Sequence, residues 1–560
     1  MNINWTLFFL ILSFPVFSQT NWYISQQTGS DNNDGLSPTT PFASIDYAVG
    51  NSVNVEPGDT ILLMGLFTNT SYNPDYQFTE NIDDPYIWTQ ENTIRINNLH
   101  GAADQYITIK PYDENTLLRG SGGNIFRLFN CSYLRIEGFE IYGEVENIPL
   151  STAEALQFIY KDVDGIVRYR VEPGTPPEEV ENMTFPVLEN IKRPSYTDTR
   201  GIYLSDGDHI DLIDLLVHHT PGNGFRVANS DYINVIGNEV HNTSRKSYSG
   251  THGLVISNSK SIDTNTQTKI FVLRNKVHHN YNEIYSWAPS KTIINPQIDE
   301  GKGISLQRND LEHTWTHGRI LVANNLTYFN GFSGLHSNGG RGVDFINNTS
   351  YFDSFTGEGN NHGISLQLSE DVSIINNIVV NDISVGGFGI AASNSSSNYT
   401  VKNNLVNGTI DSQIDVVDVN TIFADPLFTN PEQFDFTLQE GSPAIGTASV
   451  SHAPEDDFTG MLRIFEPDRG AFESPFLTTL LSIDEAPIIS FYPNPFNDFL
   501  FIEMDDLFQE IRLFDMLGKG VTHHVDWVIG AGGLQINTAN LEKGIYILKT
   551  GKTSSIVIKQ

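Results

Sequence analysis

The residues best suited to chemistry lie close together in one stretch, QIDEGKGISLQRND (297–310). The stretch packs acids, bases and an amide around one predicted strand; they are Asp299, Glu300, Lys302, Gln307 and Arg308. Neighbouring carboxylates such as Asp299 and Glu300 could bind Ca²⁺ or act as an acid–base pair. Lys302 could instead remove a proton from a substrate. This composition predicts a catalytic or calcium site, and the surrounding elements must position it.

The same stretch is one copy of a pattern that repeats from Gly201 to about Asn407. Each copy has a glycine, two apolar residues separated by any residue, a polar turn, and a second apolar strand that ends in asparagine. The first strands are GIYLS (201–205), GFRVA (224–228), GLVIS (253–257), GISLQ (303–307), GLHSN (334–338), GISLQ (363–367) and GIAAS (389–393). Such short strands, at a period of roughly 25 residues, cannot each bury a core, but stacked coils can. The repeat predicts an all-β fold, a right-handed parallel β-helix. The interval from Gly253 to Gly303 is about twice the usual one, which allows either two coils or one coil with an insertion.

Alternation along each first strand predicts which side chains face outward. The first and third residues after the glycine, such as Ile202 and Leu204, should point into the core. The residue before the glycine and the second residue after it should point outward; these are Tyr203, Arg226, His252, Lys302, His336 and His362, with Arg341 nearby. Fourth-position residues are small or amide: Ser205, Ser257, Gln307, Asn338 and Gln367. We expect this cationic or neutral stripe to bind an extended anionic chain, with the amides recognising hydroxyls.

Two other columns have a structural interpretation. Asparagine recurs at the end of the second strands, at Asn238, Asn275, Asn325, Asn348, Asn377 and Asn404, and predicts a hydrogen-bonded ladder. Rings recur three residues later, at His218, His241, His278, Tyr328 and Tyr351, and predict a stack of aromatic and imidazole rings. We therefore expect these histidines to stabilise the fold.

Composition limits the function classes. The chain has 560 residues, and its 67 acidic against 32 basic residues give a net charge of −35. That charge argues against nucleic acid and anionic membranes as partners, because both attract basic patches. The single Cys131 excludes an intramolecular disulfide framework. The length suits a one-dimensional stack better than one globular core.

The two ends differ from the repeat. Residues 1–18 contain a short apolar run that predicts a secretory signal peptide, cut near Ser18, and no other segment predicts a membrane span. After a predicted linker at 476–486, residues 487–560 predict a small β-sandwich. YPNPF (492–496), LFDMLGK (513–519), LEKGIYILK (541–549) and the terminal IVIKQ resemble the C-terminal sorting domain of type IX secretion in Bacteroidetes. The resemblance implies export by the type IX machinery, followed by release or surface attachment.

The body, 19–475, carries a second resemblance. Residues 22–49 followed by PGDTILL (57–63), and later DPLF (425–428), GSPAIG (441–446) and residues 456–473, resemble the opening and closing segments of the pectate-lyase-like β-helix superfamily of secreted carbohydrate-active proteins. The resemblance implies a capping helix with the first coil, and last coils at 425–473. It leaves the reaction open. Residues 141–199 form a long insertion into the coils.

Three function classes remain open. The first is a polysaccharide lyase that cleaves a uronic-acid-containing chain by β-elimination. Arg226, Arg341 or Ca²⁺ would neutralise the substrate carboxylate, and the base would be Lys302, His252, His336 or His362. The second is a glycoside hydrolase that uses Asp299, Glu300 and a facing acid such as Glu358. The third is a non-catalytic glycan-binding or adhesive surface protein. The substrate-binding candidates are Tyr203, Arg226, Gln307, Arg308, Asn338, Arg341 and Gln367, and Asp299 with Glu300 is the candidate calcium pair.

Overall fold

The computed structural model describes most of the chain. The described residues are 19–50, 55–78, 81–172, 175–176, 179, 190–285, 298, 300–354, 362–381, 387–393, 395–414, 418, 420–463, 466–476, 490–503, 511–515, 520–521, 525–530, 533–550 and 553–560. Outside them lie the predicted signal peptide, all but one residue of the predicted linker, Asp299 and Glu358. Within this described part of the chain, no helix is long and apolar enough to cross a membrane.

The body is a right-handed parallel β-helix, as predicted, with three parallel sheets. Sheet 1 contains Asn92–Asn97, Asn124–Phe129, Arg200–Ser205, Phe225–Ala228, Leu254–Ser257, Ile304–Asn309, the start of Ser333–Ile346, His362–Gln367 and Phe388–Ala392. Sheet 2 contains Asn21–Ile24, Thr60–Leu63, Ile107–Pro111, Ser132–Glu137, Asp208–Ile213, Asp231–Ile236, Thr268–Leu273, Arg319–Ala323, the end of Ser333–Ile346, Glu370–Ile375 and Ser397–Lys402. Sheet 3 contains Leu66–Phe67, Leu117–Arg119, Glu140–Tyr142, Leu216–His218, Glu239–His241, Lys276–His278, Leu326–Tyr328, Thr349–Tyr351, Ile378–Val380 and Leu405–Asn407.

The predicted inward residues line one continuous core. Ile202, Leu204 and Phe225 are completely buried, and so are their counterparts in later coils. Leu254–Ser257 pairs directly with Ile304–Asn309, so the long interval between their glycines is a single coil with an insertion.

The repeated glycines stand where successive coils approach most closely. A Cβ atom added to Gly201, Gly224 or Gly253 would lie 2.6, 2.7 or 2.9 Å from the carbonyl oxygen of the glycine in the next coil. Because side chains do not fit at that distance, these coils need glycine at this corner.

Short helices and one hairpin lie outside the three parallel sheets. Ile45–Val49 is a short helix, with Ser44 capping its N-terminus, beside the first coil. The insertion contains the helix Leu150–Leu156 and an antiparallel hairpin of Ile159–Lys161 with Val167–Tyr169. Single 3₁₀ turns occur at Pro85–Trp88, Val145–Asn147, Tyr196–Asp198, Leu311–His313 and Pro431–Gln433.

Residues 425–474 do not form the predicted last coils. Phe428–Asn430 and Asp435–Leu438 form an antiparallel hairpin, and the chain then runs back along the stack. Asn403 donates a hydrogen bond to the Thr447 carbonyl, whereas Asn324, three coils earlier, donates to the Asp456 carbonyl. The prediction was wrong because this segment satisfies polar turn groups of several coils instead of adding a rung.

Both predicted columns are ladders. Each asparagine from Asn238 to Asn377 donates its side-chain amide to the carbonyl oxygen of the asparagine in the next coil, at 2.8–3.0 Å. The rings of His218, His241, His278 and Tyr328 stack with centroids 4.5–5.0 Å apart. The predicted continuation to Tyr351 was wrong, because Phe434 stacks on Tyr328 and Tyr351 instead contacts Phe352 and Phe436. A second polar ladder that the sequence analysis did not identify joins Asn280, Asn330 and Asp353.

The C-terminal segment has two antiparallel sheets. One contains Ser490–Tyr492, Phe499–Glu503, Gly533–Asn537 and Asp526–Gly530, and the other contains Ile511–Asp515, Gly544–Thr550 and Thr553–Lys559. Their apolar faces enclose a separate core that includes Leu500, Ile536 and Val557. The alternating pattern of the sequence predicts strands at 490–492, 499–503, 510–514, 545–549 and 555–558, which are present, but it does not predict Asp526–Gly530 or Gly533–Asn537.

Replacing Asn325 by alanine should strongly destabilise the body. Its amide donates to the carbonyl oxygens of Val272 and Asn348, and its own carbonyl accepts two hydrogen bonds from Asn275. Leaving these buried groups unpaired should cost about 3 kcal/mol of unfolding free energy, measured by denaturant titration. The control is Asn115→Ala, at an exposed turn, and equal stability of the two variants would contradict the structural role of the ladder.

The imidazole stack should make stability depend on pH. Burial lowers the pKa of His218, His219 and His278 to about 4. Because the unfolded chain binds these protons near pH 6.5, stability should be complete above that pH and fall as the pH drops toward 4. Thermal midpoints measured across this range should show the decline. His278→Tyr, which copies Tyr328 of the next coil, should make it shallower, and an unchanged slope would refute this origin.

Candidate functional site

The outward residues of sheet 1 form two columns where the sequence predicted one. The arginine column contains residues at the second position after the glycine, in register from coil to coil: Arg95, Arg127, Tyr203, Arg226, Val255, Ser305, His336 and Ser365. The lysine column contains residues that precede the glycines: His252, Lys302, Ser333 and His362. Outward orientation does not make these side chains exposed, since His252, Lys302 and His336 are 0%, 6% and 4% exposed.

An ion pair stands at the centre of the lysine column. The Lys302 ammonium lies 2.7 Å from Glu300 Oε2 and 4.5 Å from the ring centroid of Phe332. His252 Nε2 lies 3.6 Å from the same carboxylate oxygen. Glu300, two residues before Lys302, therefore holds the ammonium in place.

The surroundings of His252 fix its tautomer. Its Nδ1 accepts a hydrogen bond from the Lys302 backbone amide at 3.3 Å, so the proton of the neutral ring is on Nε2. Nε2 lies 2.7 Å from the side-chain nitrogen of Gln307. Because this tautomer needs an acceptor there, we assign the Gln307 amide with its oxygen at that position. With both nitrogens engaged and no exposed surface, His252 is suited to positioning its neighbours.

His336 is the imidazole best placed to react. Its Nδ1 lies 2.7 Å from the Ser365 hydroxyl, and Nε2 has no hydrogen-bond partner among the described residues. Burial and the adjacent Lys302 and His252 lower the pKa of His336 well below its usual value. The ring is therefore neutral near pH 7 and can accept a proton.

A cavity of about 410 Å³ opens beside His336. Its lining includes Phe332, His336, His362, Ser365, Gln367, Phe388, Asp411 and Gln413. His362 accepts a hydrogen bond from the Phe388 backbone amide through Nδ1, at 3.3 Å, and its ring stacks on that of Phe388. Two histidines and two amides thus share a pocket with aromatic walls, a combination suited to binding a polar ring.

The fourth-position amides form a third column next to this cavity. Gln307, Asn338 and Gln367 are in register on adjacent strands. Asn338 is half-buried and Gln367 is exposed, so both can reach a ligand that lies along sheet 1.

The predicted arginines lie away from His336. Arg226 is three strands away in the arginine column, and Tyr203 lies one strand beyond it. Arg308 is exposed at the end of its strand. Arg341 lies past the corner of Ser333–Ile346, in register with Glu370 of sheet 2. Arg341 is therefore separated from the other candidates.

The candidate calcium pair is only partly described. Asp299 lies outside the described residues, and Glu300 already binds Lys302. In the ranges that the structure describes, no group of three or more His, Cys, Asp or Glu side chains is arranged to hold a metal ion. Glu300 alone supplies too few of the six to eight oxygen ligands that calcium takes.

Several site residues were not identified from the sequence. Phe332, Ser365 and Phe388 occupy ordinary positions of the repeat, and Asp411 lies beyond the last copy that was aligned. The repeat register could have identified Ser365, because this residue occupies the same outward position in its coil as His336 does in the preceding coil.

Comparison with known proteins identifies the C-terminal segment. Residues 490–560 match the family model described as "Secretion system C-terminal sorting domain". This domain directs type IX secretion, so the protein is exported to the cell surface or the extracellular space. No curated protein sequence matches the chain.

Solved structures similar to the chain include carbohydrate-active enzymes. The pectate lyase Pel9A has 15% identity and a TM-score of 0.44, with 81% of this chain and 97% of that chain covered. A rhamnogalacturonan lyase has 14% identity and a TM-score of 0.39, with 77% and 97% covered. The lacto-N-biosidase from Eubacterium ramulus has 13% identity and a TM-score of 0.32, with 70% and 61% covered.

Proposed function

We propose that the protein is a secreted polysaccharide lyase that cleaves a uronic-acid-containing chain by β-elimination. The observation that carries the proposal is the neutral imidazole of His336, with Nε2 available at a cavity and the Lys302 ammonium nearby. A base and an adjacent cation are the two groups that this reaction needs.

The reaction assigns a role to each group. His336 Nε2 takes the proton from carbon five of the uronate. The electron pair left behind forms a double bond to carbon four, and the bond from carbon four to the glycosidic oxygen breaks. The departing oxygen takes a proton from the protonated His336 or from water and leaves as an alcohol. Positive charge from Lys302 stabilises the enolate that develops on the carboxyl group. Low local polarity around the buried site strengthens this effect.

The remaining side chains hold this pair in place. Ser365 orients the His336 ring through Nδ1, and Glu300 fixes the Lys302 ammonium. His252 connects the Lys302 backbone to Gln307, which starts the column of amides that would bind sugar hydroxyls.

A glycoside hydrolase is the second candidate, favoured by Asp411. This carboxyl group lines the cavity and is 9% exposed. Together with Glu300 it could supply the acid and base that glycoside hydrolysis requires. The two reactions give different products, since only elimination creates a carbon–carbon double bond.

The enzyme should convert uronate polymers to unsaturated products that absorb ultraviolet light. The variant His336→Gln should have a kcat about 10²- to 10⁴-fold lower, because a general base contributes that much to the rate. His100→Gln, in an exposed turn far along the chain, is the control. In the wild type, the acidic limb of kcat/KM should lie well below pH 6.5, where His336 finally binds a proton. Saturated products that disappear in Asp411→Asn would support the hydrolase instead.

Calcium remains a proposal for the pair Asp299 and Glu300. Because the Glu300 carboxylate already binds Lys302, we expect activity to persist after treatment with EDTA. Assays of product formation with and without EDTA test this expectation. Loss of activity that added Ca²⁺ restores would give calcium the cationic role instead of Lys302.

A further inference from the structure

Three arginines on sheet 1 of this acidic protein form no salt bridge among the described residues. Acidic residues outnumber basic residues 67 to 32, and salt bridges hold Arg119, Arg135, Arg245, Arg274, Arg319 and Arg463. Within the described residues, Arg127, Arg226 and Arg308 form none. In the described part of the chain Arg341 and Arg469 form no salt bridge either, but Arg127, Arg226 and Arg308 share one sheet. Where acids are abundant, three unpaired arginines on one sheet call for an explanation.

These arginines belong to one face of the stack. Arg127, Tyr203 and Arg226 are in register on successive strands of sheet 1, so the two arginines are about 10 Å apart. Arg200 lies beside them, with its guanidinium 5.5 Å from the Tyr203 ring centroid. Arg308 lies on Ile304–Asn309, two strands from Arg226 in the same sheet. Burial, followed by the charges of Arg200 and Arg308, lowers the pKa of Arg226.

One acid, Asp198, accompanies the cluster. It lies 3.5 Å from Arg200, and its two oxygens also accept hydrogen bonds from Ser247 and Ser249. A single carboxylate that is shared in this way cannot balance three guanidinium groups.

The cluster is also short of hydrogen-bond acceptors. The Nε atoms of Arg127, Arg200 and Arg226 are buried and have no acceptor among the described residues. Desolvated charge without a partner costs stability, so a fold retains it where a ligand supplies the missing partner. Guanidinium groups bind carboxylate and sulfate oxygens through paired hydrogen bonds.

We propose that Arg200, Arg226 and Arg308 form an anion subsite that binds a carboxylate or sulfate group of a polysaccharide chain. Arg226 is three strands from His336 in the arginine column, about 14 Å away. A chain that lies along sheet 1 reaches both places, so the subsite holds a sugar several units from the one that reacts. This orientation rests on the proposed lyase function, whereas binding at the arginines does not require cleavage.

Binding of polygalacturonate to the full chain carrying His336→Gln tests the subsite without turnover. Adding Arg226→Gln or Arg308→Gln should each weaken binding at least tenfold in titration calorimetry. Arg95→Gln is the matched control, because Arg95 stands in the same column but pairs with Asp46. Arg226→Gln should not lower the thermal midpoint, since it removes an uncompensated charge. Unchanged binding in both subsite variants, or a loss confined to Arg226→Gln together with a lower midpoint, would overturn the proposal.

The choice of polymer separates the possible ligands. Carrageenan offers sulfate without carboxylate, polygalacturonate offers carboxylate without sulfate, and pullulan is neutral. We expect binding to at least one anionic polymer that weakens with added salt and none to pullulan; no salt-sensitive binding to either anionic polymer would refute the subsite. Arginine-dependent binding without any unsaturated product would keep the subsite and reject the lyase. Cleavage with unaltered binding in the arginine variants would reject the subsite alone.

Discussion

Each coil of this protein must lie within one strand spacing of the next, because three short strands cannot enclose a core by themselves. The glycine corners are the direct consequence, since a Cβ atom at Gly201 or Gly224 would collide with the neighbouring backbone. The asparagine ladder follows from the same constraint: at this spacing, one side-chain amide can satisfy both its own turn and the next coil. Stability is therefore distributed along the stack, coil by coil.

The same spacing creates the candidate site. Residues that are far apart in sequence, such as His252 and Lys302, become neighbours because their coils are adjacent. Long turns are the one place where the repeat can change without breaking the stack. The turn before Lys302 ends in Glu300, whose carboxylate binds the Lys302 ammonium. A regular scaffold with one irregular turn thus produces a buried ion pair beside a neutral imidazole.

The repeat made much of this predictable. The facing of Ile202 and Leu204, the coil register, the Asn325 ladder and the imidazole stack all follow from periods that can be read in the sequence. Burial of the outward histidines could not be predicted, because it depends on how turns fold over sheet 1. The path of residues 425–474 was also missed, since its contacts have no periodic signal: Phe428 and Phe436 pack on sheet 3, and other residues form hydrogen bonds to turns. The division of the outward residues into two columns came from the corner at each glycine, which strict alternation ignores.

The central claim is that the polysaccharide binds and reacts along sheet 1. A crystal structure of the His336→Gln variant with a polygalacturonate oligosaccharide tests this claim most directly. The account predicts a chain along the arginine column, with carbon five of one uronate beside residue 336 and a carboxylate of another at Arg226. A chain bound to sheet 2 or sheet 3, or one whose carbon five faces away from residue 336, would contradict it.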